Sequence, residues 1–341
     1  MPAERPSLPA LRSEPVRRAV FAGLAGLAIS AAAAMVVLAA PTGEPALLAT
    51  WRTIFARPET VPTPSDNPSS TIKVELGRRL FHDARLSGRG DRTCATCHQS
   101  DKGYSDGRRL GQGRDGRSLE RNVPGLFNLA WAQRFFWDGR ATALEEQAPG
   151  PILHPDEMGG SWPQITQRLA TDPEMTALFA EVFPEAPTDN SVTPERVAQA
   201  LAAYERTLVS PETRFDRYIA GDIGALSKIE QEGFTLFVGR AGCVACHGGW
   251  RFTDDRLHDI GLPAPAGATG QYIKTPSLRE LKHTAPYMHD GSKATLEEVV
   301  AHYNGGFVPR AELSPNIVRS LNLSAPERAA LIAFMKTLSS E

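Results

Sequence analysis

The residues carrying the most chemistry are four cysteines and the histidines that follow them. The 341-residue chain has only Cys94, Cys97, Cys243 and Cys246. They form two C-x-x-C pairs, and each runs directly into a histidine: Cys94-Ala-Thr-Cys97-His98 and Cys243-Val-Ala-Cys246-His247. Two thiols at this spacing add to the vinyl groups of a haem as thioethers, and the adjacent histidine then faces the iron as proximal ligand. A zinc site made from the same cysteines needs no histidine directly after the second one. No cysteine is left over for a disulfide framework. The expected cofactors are two covalently bound haems c, with His98 and His247 as iron ligands.

What such an iron does depends on its other axial position. Two protein ligands make an electron carrier; one leaves room for peroxide or oxygen. The chain offers an internal comparison, because its second half echoes its first. His98 and His247 lie 149 residues apart, and past them the offset settles at 152. Pro124-Gly125-Leu126 matches Pro276-Ser277-Leu278, Asp138-Gly139 matches Asp290-Gly291, and Leu144-Glu145-Glu146 matches Leu296-Glu297-Glu298. Upstream, Leu80-Phe81 and Leu236-Phe237 both precede the cysteines. The same offset pairs Pro151 with Tyr303. Proline has no ligating atom, whereas tyrosine offers a phenolate. If this position faces the haem, the second copy has a ligand and the first has none. His302 and Met288 compete for that role, and a core tyrosine closing a helix is the plainer reading of Tyr303.

The elements that must position these groups read as helical. Ser227 and Glu230 form a capping box ahead of Phe234 and Phe237, Thr295 and Glu298 another ahead of a helix reaching Tyr303, and Ser324 and Glu327 a third ahead of Leu331, Phe334, Met335 and Leu338. Pro194 opens a helix with Val197, Leu201, Tyr204 and Leu208 on one face. No run of alternating strands stands out. With 29 glycines and 27 prolines, long irregular connections are expected. The expected fold is all-α: two duplicated c-type cytochrome domains with long irregular loops, spanning residues 71–215 and 216–341, preceded by an N-terminal hydrophobic helix.

Residues 19–40 carry no charge, follow Arg5, Arg12, Arg17 and Arg18, and end at Pro41. The run is longer than the core of a cleavable signal, and its exit before proline is poor. It is long enough to span a bilayer, and the arginines keep its start cytoplasmic. An uncleaved anchor within residues 1–40 is favoured over a cleaved signal peptide. Either places the remainder in the periplasm, with residues 41–70, rich in Pro, Thr and Ser, as a linker. The net charge of −2 lacks the basic field of a nucleic-acid binder.

From about residue 71 to 338 the motifs resemble the bacterial di-haem cytochrome c peroxidase and MauG family. They are Leu76-Gly77-x-x-Leu80-Phe81, both C-x-x-C-H sites, Arg121-Asn122-x-Pro124, Phe136-Trp137-Asp138-Gly139-Arg140, Glu145-Glu146-Gln147-Ala148-x-Gly150-Pro151, Glu157-Met158, Thr284-Ala285-Pro286-Tyr287-Met288-His289-Asp290-Gly291 and Tyr303-Asn304. The resemblance implies that the N-terminal haem is the peroxide site and the C-terminal haem the electron-transfer site. It implies Glu157 as distal acid–base, Gln147 and Pro151 in the same pocket, and Trp137 between the haems. It also implies a Ca²⁺ held by Asn122 and the backbone carbonyls of Thr284 and Pro286. Tyr303 stands where typical peroxidases carry a methionine ligand, as in MauG. Arg114 stands where many carry a histidine that blocks the peroxide haem.

The chain is thus expected to be an enzyme, a di-haem peroxidase-type oxidoreductase acting on H₂O₂. The favoured reading is a MauG-like oxidase that passes oxidising equivalents through a His/Tyr-ligated second haem to a residue of a partner protein. The alternative is peroxide detoxification, with a small cytochrome c or cupredoxin as donor. A simple electron carrier fits less well, because the first haem lacks a sixth ligand.

Overall fold

The computed structural model describes residues 44–185, 191–264, 270–317 and 320–341. The expected N-terminal anchor or signal, residues 19–40, lies outside them. No helix among the described residues is long and apolar enough to cross a membrane.

Each repeat is built on a crossed pair of helices. In the first, Thr71–Phe81 packs against Pro194–Glu205; in the second, Lys228–Val238 packs against Ala325–Lys336. The crossings are close because glycine sits at each. A Cβ on Gly77 would lie 1.9 Å from the Ala200 carbonyl oxygen, and one on Gly233 would lie 2.0 Å from that of Ala330. Both glycines belong to the same local pattern, Gly77-Arg-Arg-Leu80-Phe81 and Gly233-Phe-Thr-Leu236-Phe237. Around each crossing is a separate apolar core. One gathers Leu76, Leu80, Phe81, Phe179, Val197 and Leu201; the other gathers Phe215, Phe234, Phe237, Phe252, Leu331 and Phe334.

Helix starts follow the sequence signals. Ser227 with Glu230 and Ser324 with Glu327 make reciprocal capping boxes. Thr295 makes only half of its expected box: its side chain accepts from Glu298 N, but the Glu298 carboxylate takes Ala294 N instead. That helix spans Leu296–Ala301 and widens into a π-helical turn over His302–Gly306, relaxed by Gly305 at φ 129°. The Pro194 helix stops at Glu205, so Leu208 packs from the loop beyond it.

Two features depart from expectation. Strands exist, as one short antiparallel pair, β1 Leu257–Asp259 with β2 Tyr272–Lys274. The segment expected as a linker contains a helix, Glu44–Phe55. Its Trp51 and Phe55, one turn apart, face one side, and Phe55 is fully buried and stacked on Phe252 at 4.8 Å. Arg57 then donates to the carbonyls of Ser210, at 2.6 Å, and Pro211, at 2.7 Å. Apolar burial thereby makes this stretch part of the second core. No regular element runs from Ala56 to Ser70, where the prolines fall.

Candidate functional site

The loops after each C-x-x-C-H orient the histidine. Tyr104 and Phe252 both take left-handed backbone conformations, φ 61° and 56°. Side chains other than glycine rarely do so. Each aims its carbonyl oxygen at a histidine: His98 Nδ1 is 2.8 Å from Tyr104 O, and His247 Nδ1 is 2.8 Å from Phe252 O. A carbonyl only accepts, so Nδ1 carries the proton and Nε2 keeps its lone pair. Burial lowers the pKa of both imidazoles, which holds them neutral. None of the four cysteines is paired in a disulfide. Desolvation pushes Cys94 up, and Cys243 up to about 12, so unmodified thiolates are disfavoured there.

Both histidines face one cavity of about 870 Å³, lined by Cys97, Cys243, Cys246, Trp137, Gln147, Pro151, Glu157 and Tyr303. Asn122, Thr284 and Pro286 lie on its wall as well. Cys94 packs instead against the first apolar core. Of the competitors for Tyr303, Met288 reaches the cavity, but buried His302 does not line it and gives Nε2 to the carbonyl of Ile260 at 2.8 Å. The π-helical turn brings Tyr303 to the wall, and desolvation raises its phenol pKa. Pro151, its counterpart by repeat, lies in a one-turn helix Pro149–Leu153 and has no polar side-chain atom.

Glu157 is at the same wall with 37 % of its side chain exposed, 3.9 Å from His154 Nδ1. Burial raises its pKa, and the charges of His154 and Arg140 partly oppose the rise. Trp137 is pinned at both ends of the residue: Nε1 donates to Asn122 O and its own carbonyl accepts from Lys274 N, both at 2.8 Å. Arg114 turns from the cavity and packs over Gly159.

The sequence reading missed three cations, Arg251 and Arg279, which are buried, and Lys274, which is half-buried. All three line the same cavity. Arg279 bridges Asp216 at 2.8 Å with its side chain fully buried, yet its Nη2 has no partner, nor does Nε of buried Arg251. Unpaired buried guanidinium donors are costly, and a haem carries two propionate carboxylates that match them. With four cysteines in no disulfide and two neutral histidines, the donor set fits two covalently attached haems. Among the described residues one grouping of three potential metal ligands occurs, Cys246, Asp254 and His258. There His258 Nε2 already bonds Asp254 at 2.8 Å. The cysteine pairs do not converge into a four-sulfur site. The only sequence cue to Arg279 was its place after Pro276-Ser277-Leu278, the echo of Pro124-Gly125-Leu126.

Comparison with known proteins agrees. Residues 71–224 match the family model for di-haem cytochrome c peroxidase, and residues 230–339 match that for cytochrome c. Methylamine utilization protein MauG of Methylorubrum extorquens is 44% identical over 306 residues, covering 86% of each chain. Cytochrome-c peroxidase IdrP1 of Denitromonas iodatirespirans is 37% identical over 327 residues, covering 82% of this chain and 84% of that one. Among solved structures, a MauG-like protein associated with microbial copper homeostasis superposes with a TM-score of 0.76 at 33% identity, over 84% of this chain and 95% of its own.

Proposed function

The chain belongs to the di-haem cytochrome c peroxidase and MauG family, and from that premise we propose that it uses H₂O₂ to oxidise a residue of a partner protein. Two haems c on the two C-x-x-C-H sites supply the redox chemistry: reduction of peroxide and storage of its oxidising equivalents.

His98 and His247 would hold the two haem irons, their rings fixed by the carbonyls of Tyr104 and Phe252. Pro151 and Gln147 leave the distal side of the first site open to peroxide. Glu157 accepts the proton from the inner peroxide oxygen and returns it to the departing one, and its raised pKa suits both halves of that task. Tyr303 would be a further ligand to the iron of the second haem, and a phenolate in that role would favour the ferric and higher states. Trp137, held rigidly between the sites, carries electrons from one to the other. Asn122 and the carbonyls of Thr284 and Pro286 bind Ca²⁺ through hard oxygen donors. Residues 19–40 tether the enzyme to the inner membrane, with its catalytic part in the periplasm.

The observation that supports this reading is that Tyr303 and Pro151, equivalent by repeat and different in chemistry, both line the cavity that the two histidines face. The test is to add stoichiometric H₂O₂ to the holoenzyme and compare its reaction with reduced cytochrome c against its oxidation of a candidate protein substrate. Slow turnover with the cytochrome, beside stoichiometric modification of the protein, is expected. Rapid cytochrome turnover with no protein modification would instead establish a detoxifying peroxidase.

A further inference from the structure

Oxidising a partner protein requires a place where equivalents leave this one. Among the described residues a single Phe, Tyr or Trp side chain is exposed, Tyr272, at 54 %. It opens β2, and two residues on, Lys274 N donates to Trp137 O at 2.8 Å. On its other side the Gln271 amide lies 2.9 Å from His289 Nε2, and the His289 ring sits edge-on to Trp137 with centroids 6.3 Å apart. The strand bearing Tyr272 is thus joined to Trp137 from both directions. Its pairing partner β1 begins at Leu257, also exposed, whose side chain lies against Gly139 two residues after Trp137.

A competing exit exists in the Trp131–Trp250 pair, with ring centroids 4.8 Å apart. Both rings are only part exposed, and the guanidinium groups of Arg57 and Arg279 stand 5.6 and 5.7 Å from the Trp250 ring. Removing an electron from Trp250 would create a positive charge beside two guanidinium groups whose charge the one shared carboxylate of Asp216 offsets only in part, and the net repulsion opposes that step. The arginines therefore bias oxidation away from that pair.

We propose that Tyr272 is the surface terminus from which oxidising equivalents pass to a protein partner with an accessible, oxidisable aromatic side chain. This rests on the protein-oxidising reading above. In each pass one electron moves inward from the phenol, reducing an oxidising equivalent drawn from H₂O₂. The O–H bond breaks and its proton goes to water, which the exposed ring meets directly. The resulting phenoxyl radical takes one electron and one proton from the partner's side chain, re-forming the O–H bond and leaving the partner oxidised by one electron. Two passes use both oxidising equivalents of one H₂O₂.

The test uses the holoenzyme alone. It is mixed with one equivalent of H₂O₂ and the spin trap 2-methyl-2-nitrosopropane, digested, and the adducts are mapped by mass spectrometry. The trap is expected on Tyr272, with yield falling roughly tenfold or more in both Tyr272→Phe and Trp137→Phe, haem absorbance showing both groups still attached. Adducts concentrated on Trp131 or Trp250, or a Tyr272 adduct undiminished in Trp137→Phe, overturn the assignment and leave the protein-oxidising reading standing. If the parent consumes peroxide and traps no protein radical, both fall.

Discussion

His247 Nδ1 lies 2.8 Å from the main-chain oxygen of Phe252. The bond repeats that of His98 to Tyr104, and in each repeat the acceptor residue takes a left-handed backbone conformation to make it. Both histidines are thus given the same orientation, tautomer and neutral charge. Pro151 and Tyr303, equivalent by repeat, line the cavity that both histidines face, and there the repeats differ.

On the proposed ligation, replacing Tyr303 with methionine would exchange a charge-donating phenolate for a thioether, which favours the reduced state. The reduction potential of the second haem should rise in Tyr303→Met, and oxidation of a protein partner should fall more than the initial peroxide reaction at the first site. A redox titration beside a stopped-flow peroxide assay reads both. An unchanged potential and spectrum would make Tyr303 a packing residue and shift attention to Met288, the other candidate that reaches the cavity.

The first site should be open at rest. Arg114 packs over Gly159 and Pro151 offers no donor atom, so neither blocks it. Electron paramagnetic resonance of the as-isolated ferric enzyme should show one high-spin and one low-spin haem, and H₂O₂ should react without prior reduction. Two low-spin signals would sink this.

As the proposed acid–base, Glu157 should set the pH dependence of the peroxide step. Burial raises its pKa above the usual carboxylate range. A protonated carboxyl cannot take the peroxide proton, so the rate should fall as pH drops through that raised pKa. Glu157→Gln keeps the shape and removes the acceptor. It should slow the step by about 10²–10⁴-fold and abolish the acid limb. Stopped-flow rates between pH 4 and 8 check both; a persistent acid limb would place the proton acceptor elsewhere.

Much of this site was legible in the sequence because its signals are local. C-x-x-C-H is five residues long, the capping boxes four, and a duplicated chain compares itself position by position. The 152-residue offset even survives as backbone conformation: Asn128 and Glu280, then Phe136 and Met288, take positive φ in pairs. Other features are long-range. Arg279 matters through Asp216 and a cavity wall that only the folded chain creates. The Glu44–Phe55 helix was obscured by the prolines after it, and what orders it is burial of Phe55 against Phe252, nearly two hundred positions away.

Glu205 also depends on tertiary context. It is 7 % exposed near Cys94, and the neighbouring Arg206 gives both guanidinium nitrogens to Glu145 at 2.8 Å. Burial without that partner pushes its pKa up to about 8. The folded state therefore holds a proton that the unfolded state releases between about pH 4.5 and 8. Stability should fall as pH rises through this window and level off above it. At about 1.4 kcal/mol per pKa unit, the loss amounts to several kcal/mol. Glu205→Gln mimics the protonated form, so it should gain stability relative to the parent at pH 9 and match it near pH 4.5. Denaturant unfolding at the two pH values decides; an equal difference at both would mean that Glu205 stays ionised in the fold.

The two helix crossings make the final prediction, because each depends on one missing methyl group. A Cβ at Gly233 would fall 2.0 Å from the Ala330 carbonyl oxygen and 2.7 Å from the Phe334 Cβ. At Gly77 it would fall 1.9 Å from the Ala200 carbonyl oxygen and 2.8 Å from the Tyr204 Cβ. In an exposed helix, glycine to alanine gains up to about 1 kcal/mol from backbone entropy. Here the obstacle is backbone of the partner helix, which cannot rotate aside, so the helices must separate. Overpacking of this kind costs about 1–3 kcal/mol, more than the helix-propensity gain at its upper end. Gly77→Ala and Gly233→Ala should each lower the unfolding midpoint with both haems still attached. The cores around the two crossings are separate, so the double variant should lose close to the sum of the single losses. Thermal or denaturant melts of the three holoproteins test this. Two alanines that leave the midpoint unchanged would show that the crossings are looser than this geometry requires, and that glycine at these positions serves something other than helix contact.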